Sequence, residues 1–365
     1  MHRITADIDT DALRYNFRIL QQQSGDATVM AVVKANAYGH GLALCVLPLL
    51  DEGCRSFAVT DANEGVKLRK LLPATCSPEV DINLLAGIIN ATDAKLCQTH
   101  HLTPAIMHPT QLLLLQEARF DGAVWLKLDT GMNRTGADDI PALHRSCQQS
   151  DITVRGLLSH LACADTPKHP LNADQCRRFG QVQQRMPELD ASLLNSAGIF
   201  SLPHHRYQVV RPGIALYGIE PCEDRTIGLK PVMHLSATIV QTRMLAAGDS
   251  VSYGGSFIAK RPMQMAVIAA GYGDGIPRAL SDRGTVYIQG TPCPIMGRVC
   301  MDYCMVDLGE LHIHKGERAI FWDAKHTVST VASTVDTIAY ELLTQISERV
   351  RRQTMSIEKK LRHSD

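Results

Sequence analysis

The apolar run Val29–Val33 leads directly into Lys34, which is followed by small residues and two glycines in VMAVVKANAYGHG. A desolvated ammonium is costly, so such a lysine must pair, give up its proton more readily or form a covalent adduct. A lysine of this kind suits a Schiff base with a carbonyl compound. It reads equally as a lysine whose stem covers apolar surface while its amine stays in water. In VWLKLDTGMNRTG, Lys127 and Arg134 lie seven residues apart on a strand end and its loop. Two cations meeting there would repel, with Asp129 as the one nearby counter-charge. His160 closes the run VRGLLSH, and Arg211 closes the short run before PGIALYG. Each has an ordinary structural reading, as a hydrogen-bonded core histidine and as an arginine paired with a carboxylate. His312 and His314 share one face of a strand-like segment but have no third ligand, so no metal site is expected.

These residues need elements to position them, and the hydrophobic pattern supplies a series. Short apolar runs begin near Val29, Ser56, Ile82, Thr103, Val124, Val154, Ser192 and Val209, mostly 20 to 30 residues apart. Between them lie segments with helical spacing, such as Leu13, Phe17 and Leu20. Asp61 with Glu64 resembles a capping box. Eight strand-like runs alternating with helical ones predict an α/β fold, a (β/α)₈ barrel of the TIM type with its site at the C-terminal ends of the strands. An open doubly wound sheet is the competitor. After about residue 230 the pattern turns to strand-like runs with glycine-containing turns, which predicts a β-rich second domain. The expected division is 1–230 for the barrel and 231–365 for the β-rich domain. Val335, Ile338, Leu342 and Ile346, within a stretch from Thr330 to Arg362, have helix-like spacing.

Eight ordered segments, VVKANAYGHG, LKLDTGMNRTG, GLLSHLACAD, NSAG, RPGIALYG, SYGGSF, GYGDGIPR and GRVCMD, give the chain a close resemblance to the alanine racemases over nearly its whole length. The resemblance implies a barrel that binds pyridoxal 5'-phosphate (PLP), a following β domain, a homodimer with composite sites, and interconversion of L- and D-alanine. It implies that Lys34 holds PLP and removes the proton from D-alanine. By the same resemblance Tyr253 of SYGGSF is expected to act on L-alanine, reaching the site from the other subunit, and Arg211 to face the pyridine nitrogen, where an always-charged guanidinium only donates. His160 is expected near the cofactor ring, linking the arginine to the tyrosine. Asn195, Ser196, Gly213 and Ile214 match the phosphate cup, with Tyr38 as the matching phosphate phenol. Arg134 and the main-chain N–H of Met301 match the groups that take the substrate carboxylate, and Lys127 matches a lysine that many members carbamylate. Asp165, Tyr272 and Arg278 match residues that line the entry corridor. The family's usual RVPR reads Arg349-Val350-Arg351-Arg352 here, without the proline.

The composition fits a small zwitterionic substrate. Lys+Arg and Asp+Glu both total 37 in 365 residues, which reads against nucleic acid or an anionic membrane as partner. With 45% hydrophobic and 20% charged residues the chain has material for a packed core. Eleven cysteines, an odd number without a C-x-x-C pair, read as reduced thiols in a cytoplasmic protein. There is no signal-like segment and no apolar run of membrane-spanning length. The same fold also serves broad-specificity or serine racemases, and single-barrel PLP-binding carriers. The latter lack a β domain, whereas about 130 residues follow Leu235 here. Cell-wall synthesis (peptidoglycan) and alanine catabolism are both open as roles.

Overall fold

The computed structural model describes residues 2–356. Its strands in chain order are β1 (Ile4–Ile8), β2 (Thr28–Val32), β3 (Ser56–Val59), β4 (Asp81–Leu84), β5 (Leu102–Ile106), β6 (Ala123–Lys127), β7 (Thr153–Leu158), β8 (Asp190–Asn195) and β9 (Val209–Arg211). They continue with β10 (Met233–Leu245), β11 (Ser250–Val251), β12 (Phe257–Ile258), β13 (Met263–Ile268), β14 (Thr285–Ile288), β15 (Thr291–Met296), β16 (Cys304–Asp307), β17 (Arg318–Trp322) and β18 (Arg351–Thr354).

Strands β2 to β9 close into a barrel in sequence order, β9 returning to pair with β2 in parallel. All eight arise from the apolar runs seen in the sequence, because parallel strands covered on both faces are apolar without alternation. The β8 run ends at Asn195, and a short helix, Ser196–Ser201, begins at once. The opposite end of the barrel is plugged by side chains. Trp125 donates to Asn83 Oδ1 at 2.8 Å, and Arg155 lies over the Trp125 ring while pairing with Asp81 at 2.6 Å. Gly156 is required beside them, since a Cβ there would come within 2.3 Å of the Asp190 carbonyl oxygen and 2.5 Å of the indole.

The chain divides into two compact units. Residues 13–37 and 45–229 form the barrel unit; the other holds residues up to Ala12, 38–44, and those from Lys230 onward. The second unit is an eight-stranded sheet in the order β13-β16-β15-β14-β17-β10-β1-β18. Strand β10 pairs with β1 and β17 along its first half and with β13 along its second, so the sheet curls back on itself. The first strand of the chain thus joins the second unit. The helix-like spacing after Thr330 resolves into two short helices, Val328–Thr334 and Ala339–Gln345, and β18 follows. The part of that stretch beyond residue 356 lies outside the described residues. No helix among the described residues is long and apolar enough to cross a membrane. All eleven cysteines are free, and no cluster of metal-ligating side chains occurs among the described residues.

Candidate active site

Lys34 stands just past β2, where the chain leaves the barrel through an unusual turn. Ala35, Asn36, Ala37 and Tyr38 have φ of 51°, 55°, 55° and 50°, a left-handed turn built without glycine. Each such residue costs roughly 1–2 kcal/mol, so its surroundings must hold it. Part of that hold comes from Glu64. Its carboxylate accepts from the Ala35 N–H at 2.7 Å and from the Thr60 N–H at 2.8 Å. Asp61 caps the helix Ala62–Leu71 by accepting from the Glu64 N–H. The predicted capping box is therefore half used at its own helix, and Glu64 reaches instead toward the lysine turn.

Four cations gather at the same end of the barrel. The Lys127 ammonium, at the end of β6, donates to the Leu85 carbonyl at 2.9 Å. Burial, then Arg211, Arg134 and Lys34, push its pKa down to about 8, with Asp129 opposing. Asp129 is occupied elsewhere, its carboxylate accepting from the N–H groups of Gly131, Asn133 and Arg134. Burial and Arg134 also lower Lys34, against Glu64. Arg211, at the end of β9, is buried and donates to Ser192 Oγ at 2.5 Å and to the carbonyls of Ser159 and Leu193. Burial alone lowers its pKa to about 10. Beside these cations His160 is driven down to about 3, first by burial and then by Arg211, Arg134, Lys34 and Lys127, so its imidazole is neutral.

An excess of positive charge around buried Lys127 and Arg211, with Lys34 half-buried and Arg134 exposed, calls for an anionic guest. Here the donor set fits PLP: a primary amine of lowered pKa, a buried guanidinium that donates, and a hydroxyl with N–H groups for a phosphate. Ser196 Oγ accepts from the N–H of Gly213 at 2.9 Å and of Ala215 at 3.3 Å, with buried Ile214 between them. The Asn195 side chain caps the Ser196–Ser201 helix by accepting from Gly198. Asp165 is exposed in the loop after β7, where its carbonyl accepts from the Glu223 N–H.

The other expected residues lie in the second unit, and three loops there are tied together. Ser252 Oγ donates to the Arg298 carbonyl at 2.7 Å, joining SYGGSF to GRVCMD. The N–H groups of Tyr272 and Gly273 each donate at 3.0 Å to the carbonyls of Cys300 and Met301, joining GYGDGIPR to GRVCMD. Gly271 permits this approach, since a Cβ would lie 2.2 Å from the Cys300 oxygen. Ser281 Oγ links the Arg278 carbonyl to the Val299 N–H. Tyr253 is 70% exposed and Met301 52% exposed. Tyr38 packs against Tyr340 with ring centroids 6.1 Å apart, and burial, then Tyr340, raises its pKa. One group escaped the sequence reading of roles. Arg349 pairs with Asp302 at 2.6 Å and with buried Asp274 at 3.4 Å, and Asp274 also accepts from the Gly271 N–H. In the segment RVRR, Arg351 occupies the first position of β18, and Arg352 donates to the Gly39 carbonyl at 2.6 Å.

Fold and site together define a class: barrel proteins with a crowd of cations, a lysine among them, at the strand ends, suited to an anionic carbonyl cofactor. Family models described as "Alanine racemase, N-terminal domain" and "Alanine racemase, C-terminal domain" match residues 8–221 and 232–354. The chain belongs to the alanine racemase family. It is 37% identical to an alanine racemase of Vesicomyosocius okutanii over 94% of this chain and 96% of that protein. The alanine racemase structure from Acinetobacter baumannii is 34% identical, with a TM-score of 0.88 over 97% of this chain and 100% of the other. One from Bartonella henselae, described as having covalently bound pyridoxal phosphate, is 32% identical with a TM-score of 0.89, over 97% and 100%.

Proposed function

We propose that the chain interconverts L-alanine and D-alanine, using PLP held by Lys34. The observation that carries this is the gathering of Lys34, Lys127, Arg134 and Arg211 around a neutral His160 in a chain of this family. PLP, when bound, acidifies the α-hydrogen of an attached amino acid by delocalising the resulting negative charge. Inversion then asks the protein for one base on each face. The Lys34 amine removes the α-proton of D-alanine on one face while a proton is delivered on the other, and in the reverse direction the Lys34 ammonium delivers the proton that makes D-alanine. Tyr253 Oη is the opposite partner on the L face, delivering the proton in that first direction and removing the α-proton of L-alanine in the reverse, and the positive charge and hydrogen bonds beside a phenol decide whether it serves near neutral pH. Arg211 would donate to the ring nitrogen of a bound PLP, and a guanidinium that does not give up its proton would leave that nitrogen unprotonated and limit competing reactions. Ser196, Asn195, the main chain at Gly213 and Ile214, and Tyr38 would hold the phosphate. Arg134 and the Met301 N–H hold the substrate carboxylate. A carbamate on Lys127 converts one of four crowded cations into an anion that orients Arg134. Asp165, Tyr272 and Arg278 restrict entry in favour of a small side chain.

Tyr253 is exposed on its own chain, which supports a composite site completed by a second copy in a homodimer. The boundary near residue 230 then separates a cofactor-binding part from a part that serves the partner. A cytoplasmic setting accords with the free thiols, and the reaction would serve either peptidoglycan, through D-alanine, or alanine catabolism. The test is to purify the protein, record the yellow absorbance of lysine-bound cofactor, and assay D-amino-acid formation from L-alanine, L-serine and larger L-amino acids. Absorbance lost in Lys34→Ala, with alanine the best substrate, is expected. No absorbance and no turnover in the wild type would overturn the reading, and a preference for serine would place the chain among broad-specificity racemases.

A further inference from the structure

Behind His160 lies a buried polar relay whose central residue belongs to none of the eight segments. Gln175, on the helix Pro170–Gln183, is 0% exposed. Its Oε1 accepts from the Ala162 N–H at 2.9 Å, and its Nε2 donates to the His160 carbonyl at 2.9 Å and to Thr130 Oγ1 at 3.0 Å. Thr130 Oγ1 in turn lies 2.9 Å from Ser159 Oγ, and the Ser159 carbonyl accepts from Arg211. One helical turn earlier, Asn172 Nδ2 holds the carbonyls of Cys163 at 2.9 Å and Thr166 at 3.1 Å.

We propose that Gln175 is a positioning residue for racemisation: it clamps the main chain directly after the His160 side chain, at the His160 carbonyl and the Ala162 N–H, and through Thr130 and the Ser159 hydroxyl it ties that turn to the residue whose carbonyl receives Arg211. The proposal rests on the reading that His160 and Arg211 face the cofactor. An apolar residue would suffice to pack a barrel helix on a strand. A glutamine stripped of water is costly unless all its polar atoms are used, and here both donor hydrogens and the carbonyl oxygen are engaged. The amide is also specific, because a carboxylate would turn a lone pair toward the His160 carbonyl. Two neighbouring chain segments, at Thr130 after β6 and at 160–162 after β7, are held by this one side chain. Small displacements of groups that touch a reacting centre are expensive in rate, which is the reason to look for the effect in turnover.

The test is a double-mutant cycle between Gln175→Met and His160→Gln in the PLP-loaded enzyme, with amide exchange of the cofactor-free protein as a second readout. Gln175→Met is expected to lower kcat about 10- to 100-fold with a far smaller change in KM. It also speeds amide exchange at Ala162. In the His160→Gln background the same substitution is expected to cost little further, because the group it positions is already gone. An equal fold-loss in both backgrounds, or wild-type kcat with wild-type exchange, would overturn the proposal. Thr130→Val, which removes only the hydroxyl between Gln175 and Ser159, gives the same pattern in smaller measure and decides the matter if Gln175→Met does not fold. A wild-type protein without racemase activity would instead overturn the reading of the site.

Discussion

Removing carbon dioxide from the protein should change both its charge and its rate, through Lys127. The amine's pKa is drawn from 10.5 to about 8 by burial and by Arg211, Arg134 and Lys34. At pH 7.5 about a quarter of such amines are neutral, against about one in a thousand for an ordinary lysine. The neutral amine is the form that adds to carbon dioxide, so the site favours a carbamate by a factor of roughly two hundred before any gain from the neighbouring cations. Those cations contribute further, since the adduct replaces repulsion from three positive groups by attraction. In the unmodified protein the depressed pKa is a cost to folding. The unfolded chain binds the proton more tightly, so the cost is complete below pH 8 and is relieved as pH rises toward 10.5. It amounts to about 3 kcal/mol at most, and about 1–2 kcal/mol after screening by solvent at the barrel mouth. With ¹³C-bicarbonate the protein should show a carbamate carbon resonance that Lys127→Ala lacks. Its melting temperature should fall when carbon dioxide is purged, and kcat/KM should fall with it. An enzyme with no such resonance and with rate and melting temperature indifferent to carbon dioxide would refute the reasoning.

His160 should remain a neutral imidazole down to about pH 4, because its pKa is lowered to about 3. Its ring resonances should not titrate between pH 5 and 8, and the rate profile should carry no inflection from it. Stability should fall as pH drops from 6.5 toward 3, where the unfolded chain takes up a proton that the fold refuses; a ring titrating near 6.5 would contradict the charge arrangement. Gly271→Ala should push the GYGDGIPR turn away from the Cys300 and Met301 carbonyls, which its Cβ would meet at 2.2 and 2.4 Å. A rise in KM for alanine with a loss of about 1–3 kcal/mol in stability is expected, and calorimetry with steady-state kinetics checks both.

The barrel was legible because its strands are covered on both faces and read as continuous apolar runs, each ending at a polar residue such as Lys34, His160 or Arg211. Those ends are where a barrel keeps its chemistry. The left-handed turn at Ala35–Tyr38 was not legible, because alanine and tyrosine carry no signal for positive φ, one asparagine does not announce a run of four, and the conformation depends on tertiary support such as Glu64. The place of β1 was hidden too. Its partners, β10 and β18, lie more than two hundred residues away, and no local pattern encodes a pairing at that range. Gln175 and Arg349 resemble any polar residues of a helix and a C-terminal segment until the fold supplies the main-chain groups they hold.

The two-base assignment is tested most directly by proton exchange in Tyr253→Phe. In deuterated water, the variant given D-alanine should exchange the α-hydrogen for deuterium on the Lys34 face while forming no L-alanine, and given L-alanine it should neither exchange nor invert. Full racemisation by Tyr253→Phe, or α-exchange from L-alanine at the rate seen from D-alanine, would contradict the assignment of the two faces to Lys34 and Tyr253.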